Sequence, residues 1–427
     1  MSTNSNDSSA IASRMALEAL RSGVPNRAAV RLLGCDQPQV EGRFTEMLDG
    51  IEDADNWAGV AHGMLVSGDF GTGKSHVLAH LEHLALERNF VCSKVAISKE
   101  TPLYDLGKVF ISAMENGRLP DRSGRLIEEL GQALNFDSRE FASFFQWADQ
   151  AAQQGEINPI FPASLLVYER SMDLELNGEI ESFWAGDRIL KSKITAGLRQ
   201  IGQLQNYRFN MPRAAELPPQ RLRFALELIK GARYRGWVVL LDEIELVASY
   251  SLLQRGRSYA EVARWMGHAA GENYPGLVMV GTVTDDFASA IISPDGIKKD
   301  NDYIRPKMEA NQRYHNIAGR AETGMRMLER DCVTLKSPEI EDVFATVEKL
   351  RTLYSNAYDW SAPPIGAIEG GAGIYGRMRY QVRRAINEWD LLRLRPDSNP
   401  ETEFQEFSPS YEENRDLEAP AEEGGEG

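Results

Sequence analysis

No stretch constrains this chain more than Gly68-Asp-Phe-Gly-Thr-Gly-Lys-Ser75. It satisfies the pattern G-x-x-x-x-G-K-[ST] at every fixed position. The apolar run His62-Gly-Met-Leu-Val-Ser precedes it, and a helical pattern over Ser75–Arg88 follows. Strand, glycine turn and helix in that order let main-chain N–H groups converge without Cβ clashes, and the helix N-terminus adds partial positive charge. The ligand class implied is a phosphate chain. Phe90–Ile97 reads as a second strand. Strand, helix and strand within about 40 residues make the βαβ unit of a parallel sheet.

On this pattern, a Walker A motif, the residues expected to touch a nucleotide are Gly68, Asp69, Phe70, Gly71, Thr72, Gly73, Lys74, Ser75 and His76. Lys74 would reach the β- and γ-phosphates, and the Ser75 hydroxyl would join a Mg²⁺ shell. Such a site needs an apolar strand that ends in a carboxylate. Val238-Val-Leu-Leu-Asp242-Glu243 supplies it as a Walker B motif. Asp242 is the expected metal-side ligand, and Glu243 the expected base polarising a water against the γ-phosphate. A polar residue on the strand between these two is the third part. Gly281-Thr-Val-Thr284 ends a strand starting at Gly276, with Thr284 as first choice and Thr282 as second. Among the arginines, one of Arg320, Arg326 or Arg330 would act as a finger on a neighbouring subunit's γ-phosphate, Arg330 being the choice carried forward. Arg377, Arg379, Arg383 and Arg384 open the last helix, and one of them, Arg379 being the choice carried forward, would sense the nucleotide in cis. His76, His80 and His83 have the spacing of metal ligands on a helix, but that face must pack on the sheet, so a metal site there is not expected.

Helical periodicity covers much of the remainder. It runs from Ala10 through Ile11, Met15, Leu17 and Leu20 to Gly23. Between residues 103 and 235 strand signals are nearly absent. Leu103–Met114, Ser123–Leu134, Ser138–Gln154, Ala163–Tyr168, Ile189–Leu204 and Gln220–Tyr234 read as helices. Cys332-Val-Thr-Leu is a further strand, and everything after Pro338 reads as helix, including Ile340–Tyr354 and Tyr375–Leu394. The expected fold is α/β, a P-loop NTPase sheet flanked by helices. Its domains are a loose 1–9, a core over 10–336 with a helical insertion at about 103–218, a helical lid over 337–397 and a disordered acidic tail over 398–427.

Composition narrows the class. With 42% hydrophobic and 26% charged residues in 427, the chain is globular. No apolar run approaches the ~18 residues of a membrane span, and Met1–Ser13 lacks the regions of a signal peptide. Cys35, Cys92 and Cys332 are too few and scattered for a disulfide framework and read as reduced thiols of a cytoplasmic protein. The net charge is −16, of which −9 falls after residue 400. A body this mildly acidic argues against obligate DNA binding through counterion release.

The motif order, with Asp-Glu after the second motif strand and an all-helical C-terminal segment, resembles the AAA+ class. The closer resemblance is to the ATP-binding proteins of the bacteriophage-exclusion (BREX) defence systems, of the smaller BrxD type. It rests on Ala19-Leu-Arg-Ser-Gly-Val-Pro-Asn-Arg27, the 68–75 loop, Ser98-Lys-Glu-Thr-Pro-Leu103 and Leu240-Leu-Asp-Glu-Ile-Glu245, and spans residues 12–396. The resemblance implies ATP and Mg²⁺ as cofactors, ATP hydrolysis driving rearrangement of a defence complex, other subunits of that system as partners and an adenine contact from Pro25 and Asn26. The sensor strand departs from many relatives by offering Thr in place of Asn. Two alternatives stand beside an ATPase: a nucleotide-dependent adaptor or loader for a helicase or other defence subunits, and a DNA-binding initiator-like regulator. A homo-oligomer and indirect contact with DNA are compatible with each.

Overall fold

The computed structural model describes residues 3–22, 30, 33–52, 63–269, 272, 274–336, 339–365 and 378–396. Its centre is a six-stranded sheet, built from β1 (Gly63–Ser67), β2 (Val91–Ala96), β3 (Gly117–Arg118), β4 (Trp237–Asp242), β5 (Leu277–Val283) and β6 (Cys332–Thr334) in the spatial order β3-β2-β4-β5-β1-β6. All neighbours are parallel except β2 and β3. β1, β4 and β5 are buried along their whole length, which explains their unbroken apolar sequence: helices cover both faces. β5 lies between β1 and β4, the position expected for the sensor strand.

One face of the sheet carries α2 (Pro38–Glu52) and α3 (Lys74–Glu87), which enclose Met64, Val66, Cys92, Leu240 and Val280. The opposite face is larger. It takes α4 (Leu106–Glu115), the helices α5 (Leu126–Ala133), α6 (Arg139–Gln153), α7 (Ile160–Arg170), α8 (Leu174–Ala185) and α9 (Lys191–Gln200), and then α10 (Leu217–Gly231). Within this group the buried Phe224 ring lies 5.0 Å from that of Phe161 and 5.4 Å from that of Trp184, centroid to centroid. The sequence reading missed α8. Its signal was present in Asp173, which caps the backbone N–H groups of Glu175 and Leu176, and in the buried stripe Leu176, Ile180, Phe183 and Trp184. It also missed β3, whose two residues are too short for an alternation pattern.

Beyond β4 come α11 (Leu252–Trp265), α12 (Asp300–Glu309) and α13 (Ala318–Arg330). Arg255 and Asp300 form a fully buried ion pair between α11 and α12, joined by the Tyr259 hydroxyl, which donates to Asp300 at 2.7 Å. α13 crosses α11 so closely that a Cβ on Gly324 would overlap the Tyr259 carbonyl. Gly324→Ala should therefore force the helices apart and destabilise the fold by about 2–3 kcal/mol, measured as a lower denaturation midpoint. An unchanged midpoint would show that the crossing is looser than described.

The last helices are α14 (Ile340–Tyr358) and α15 (Met378–Leu394). They pack with α1 (Thr3–Ser22) around Leu17, Leu350, Tyr354, Ile386 and Trp389, a core separate from those of the sheet. α1 departs from expectation in two ways. It begins at Thr3 rather than Ala10. Ile11 and Met15 are 57% and 62% exposed, and the buried stripe is Ser13, Ala16 and Leu17 with Leu20 beside it. Small Ser13 and Ala16 bring α1 near its neighbours, so the larger apolar residues turn outward. The expected acidic tail lies outside the described residues. Among the described residues no helix is long and apolar enough to cross a membrane.

Candidate nucleotide site

The glycine-rich turn joins β1 to α3 at the C-terminal end of the parallel strands. Gly71 and Gly73 have φ of 83° and 104°, which side chains with a Cβ rarely adopt, so the local backbone requires glycine at both. Phe70 N–H donates to Asp69 Oδ1 at 2.7 Å and the Thr72 hydroxyl to the Asp69 carbonyl at 2.8 Å, which fix the turn. Lys74 Nζ lies over it, donating to the Gly68 carbonyl at 2.8 Å, with the Phe70 ring centroid 5.6 Å away.

β4 delivers Asp242 to the foot of this turn. Burial works to raise the Asp242 pKa. The Lys94 charge and the hydroxyls of Thr282 and Ser75, all bonded to it, outweigh burial and hold it below the ordinary carboxylate value. Thr282 Oγ1 donates to Asp242 Oδ1 at 2.7 Å. The second-choice threonine thus meets the acid strand. Thr284 is buried one residue past the end of β5, where its carbonyl accepts from Phe287 N–H. Ser75 and Asp242 offer a hydroxyl and a carboxylate side by side. That all-oxygen donor set suits Mg²⁺, which keeps most of its water shell and takes few protein ligands.

Glu243 follows in a left-handed backbone conformation, φ 64°, at the wall of a cleft of about 580 Å³. A non-glycine residue in that region is strained by about 1 kcal/mol or more, a strain that concentrates at functional sites. Glu245, which sequence reading passed over, lies in the 3₁₀ turn Ile244–Ser249, buried, 3.9 Å from Lys74 Nζ. Burial, aided by Asp242 and Glu243, pushes its carboxyl up to about 7, although Lys74 pulls the other way. An acid with a raised folded-state pKa stabilises the fold fully below about 4.5, and this contribution is lost as pH rises through about 7. Glu245→Gln should flatten that profile, gaining on the order of 2 kcal/mol over the wild type at pH 8 relative to pH 5, read from melting curves. Parallel profiles would contradict it.

The cleft continues from the turn to the α1–α14–α15 bundle. Leu20, Leu33, Cys35, Met378 and Val382 give it an apolar lining beside the charged residues of the turn and β4. Burial and the Glu41 charge push the Cys35 thiol up to about 12, so it remains neutral. Lys336 and Lys349 also line the cleft, and Lys349 Nζ donates to the Leu33 carbonyl at 3.0 Å. Sequence reading named neither; β6, paired with β1, delivers Lys336 just past its end, and α14 delivers Lys349. His76, in the cleft wall, bonds the Gly34 carbonyl through Nε2 at 2.8 Å. His80 and His83 pair with Glu41 and Glu87.

Arg320, Arg326 and Arg330 are not among the described residues that line the cleft. Arg330 is exposed at the opposite, N-terminal end of the strands, near Gly63 and Cys332. Arg320 is paired with Glu261 and Glu272, with 15% of its side chain exposed. Arg326 is exposed on α13. Arg379 lies on α15, but its side chain is outside the described residues, as are Pro25 and Asn26 altogether.

The sequence profile of a family described as BREX system ATP-binding protein BrxC/D matches residues 9–124 and 219–366, more than half of the chain. The unmatched stretch between them holds α5 to α9. No curated protein and no solved structure matches the chain.

Proposed function

The chain belongs to the BrxC/D family of BREX system ATP-binding proteins, and from that premise we propose that the cleft binds Mg-ATP and hydrolyses it, as an AAA+-type subunit of a cytoplasmic phage-defence complex. The observation that carries this reading is the convergence of Ser75, Asp242 and Thr282 at the foot of the glycine turn, three adjacent elements bonded through one carboxylate. Their order in space, turn strand then β5 then acid strand, is the one an ATPase of this class uses.

In this reading the main-chain amides of 70–75 and the Lys74 ammonium hold the phosphates. Mg²⁺, when bound, would sit on Ser75 and Asp242 and neutralise charge on the phosphates. Glu243 accepts a proton from the attacking water. Thr282 fixes the rotamer of Asp242, so the sensor function falls to it in preference to Thr284. The apolar lining of the cleft, with the Pro25–Asn26 segment next to it in sequence, takes the base. A ligand site of 300–1,000 Å³ is usual for small molecules, and the cleft falls within that range. The bundle of α1, α14 and α15 is the lid, α5 to α9 are an insertion serving contacts with other subunits, and Arg330 acts only on a neighbouring copy.

Calorimetric titration with ATP, with and without Mg²⁺, together with phosphate release, tests the proposal. Binding that requires Mg²⁺ and slow turnover support it. Absence of ATP binding by the full chain removes it.

A further inference from the structure

Asp242 has a partner that neither glycine turn nor acid strand contains. β2 and β4 run parallel with Lys94 opposite Leu240 and Ala96 opposite Asp242. Side chains alternate along a strand, so Lys94 follows Cys92 onto the face that Leu240 and Asp242 share, the one that α3 covers. There Lys94 Nζ lies 3.1 Å from Asp242 Oδ2, while Thr282 holds Oδ1. The carboxylate side chain is 7% exposed and the lysine 28%.

An ionised carboxylate buried to this degree needs a compensating charge. Lys94 provides one, on a flexible four-carbon stem with a route to water. A divalent cation on Ser75 and Asp242 would compensate the same carboxylate. The two cations would stand within a few ångströms of each other in a poorly screened layer, where like charges repel strongly. Only one of them can be the close partner of Asp242.

We propose that Lys94 is a tethered counter-ion that exchanges with the divalent metal. It neutralises Asp242 when Mg²⁺ is away and withdraws toward solvent when Mg²⁺ and nucleotide arrive, setting the Mg²⁺ concentration at which the site loads. The inference rests on the nucleotide reading of the cleft and adds its regulation by free Mg²⁺. Lys94 is a positioning residue here, acting through Asp242.

Two substitutions in the full chain test it from opposite sides. Lys94→Met keeps the stem and removes the charge. Lys94→Arg keeps the charge on a planar fork that grips a carboxylate with two bonds. The first readout is thermal unfolding in EDTA and across a MgCl₂ series with no nucleotide. The second is the Mg²⁺ midpoint for binding a fluorescent ATP analogue. For Lys94→Met we expect a lower melting temperature in EDTA, recovered by Mg²⁺ alone, and a Mg²⁺ midpoint about tenfold lower than wild type. For Lys94→Arg we expect a midpoint several-fold higher. Midpoints that match wild type in both variants, or a Lys94→Met chain that melts early and ignores Mg²⁺, would overturn the proposal and leave an ordinary internal ion pair. Should Lys94→Met fail to fold, the arginine variant still decides. A wild-type chain that binds no nucleotide would defeat the cleft reading instead, and the Mg²⁺-alone melting series would still judge Lys94.

Discussion

Lys74→Ala should weaken ATP binding at least a hundredfold while the chain stays folded. The ammonium is bonded to the rim of the turn through the Gly68 carbonyl, and its side chain is 11% exposed. Opposite charges about 4 Å apart near a protein surface attract with roughly 4 kcal/mol, and most of that attraction is lost with the side chain. Without Lys74 the carboxylates of Asp242 and Glu243 leave the charged end of the cleft acidic and repel a triphosphate. Calorimetry with Mg-ATP gives the affinity and a melting curve shows that the fold survives. Equal affinity in wild type and variant would remove the phosphate cradle from this account.

Glu243→Gln is expected to lower ATP hydrolysis by about a hundredfold or more, with affinity for ATP nearly unchanged. The amide preserves shape and hydrogen bonding but takes up no proton. Glu243 is exposed to the cleft from a strained turn, whereas Glu245 is buried against Lys74 and holds its own proton up to about 7. Glu245→Gln should therefore reduce turnover less than Glu243→Gln. If single-turnover rates rank the two variants the other way, Glu245 is the base. The same substitution separates an ATPase from an adaptor. Phage defence that survives Glu243→Gln but is lost with Lys74→Ala would mean that the bound nucleotide matters and its cleavage does not.

The cradle was legible because backbone geometry dictates residue type there: two left-handed positions require glycine, and those glycines form the pattern. β4 and β5 were legible because strands buried on both faces read as apolar runs. What lay hidden depends on which elements become neighbours. Lys94, within Val-Cys-Ser-Lys-Val-Ala, reads as a polar interruption of a strand until β2 is known to lie against β4. Thr282 and Thr284 have the same parity, and which of them meets Asp242 turned on β5 ending at Val283. The outward Ile11 and Met15 could not be foreseen, since a stripe of small residues is as good a packing face as one of large residues when the partner helix comes close.

The bundle over the cleft joins elements far apart in sequence: α1 precedes the sheet, and α14 and α15 follow it. Its apolar interior cannot close until translation has passed residue 389. A ribosome-bound chain can thus complete the glycine turn and β4 while the roof above them is still missing. Until then the Leu17 face of α1 lacks Leu350, Tyr354 and Trp389 to pack on, and the cleft lacks the part of its wall that Met378 and Val382 supply.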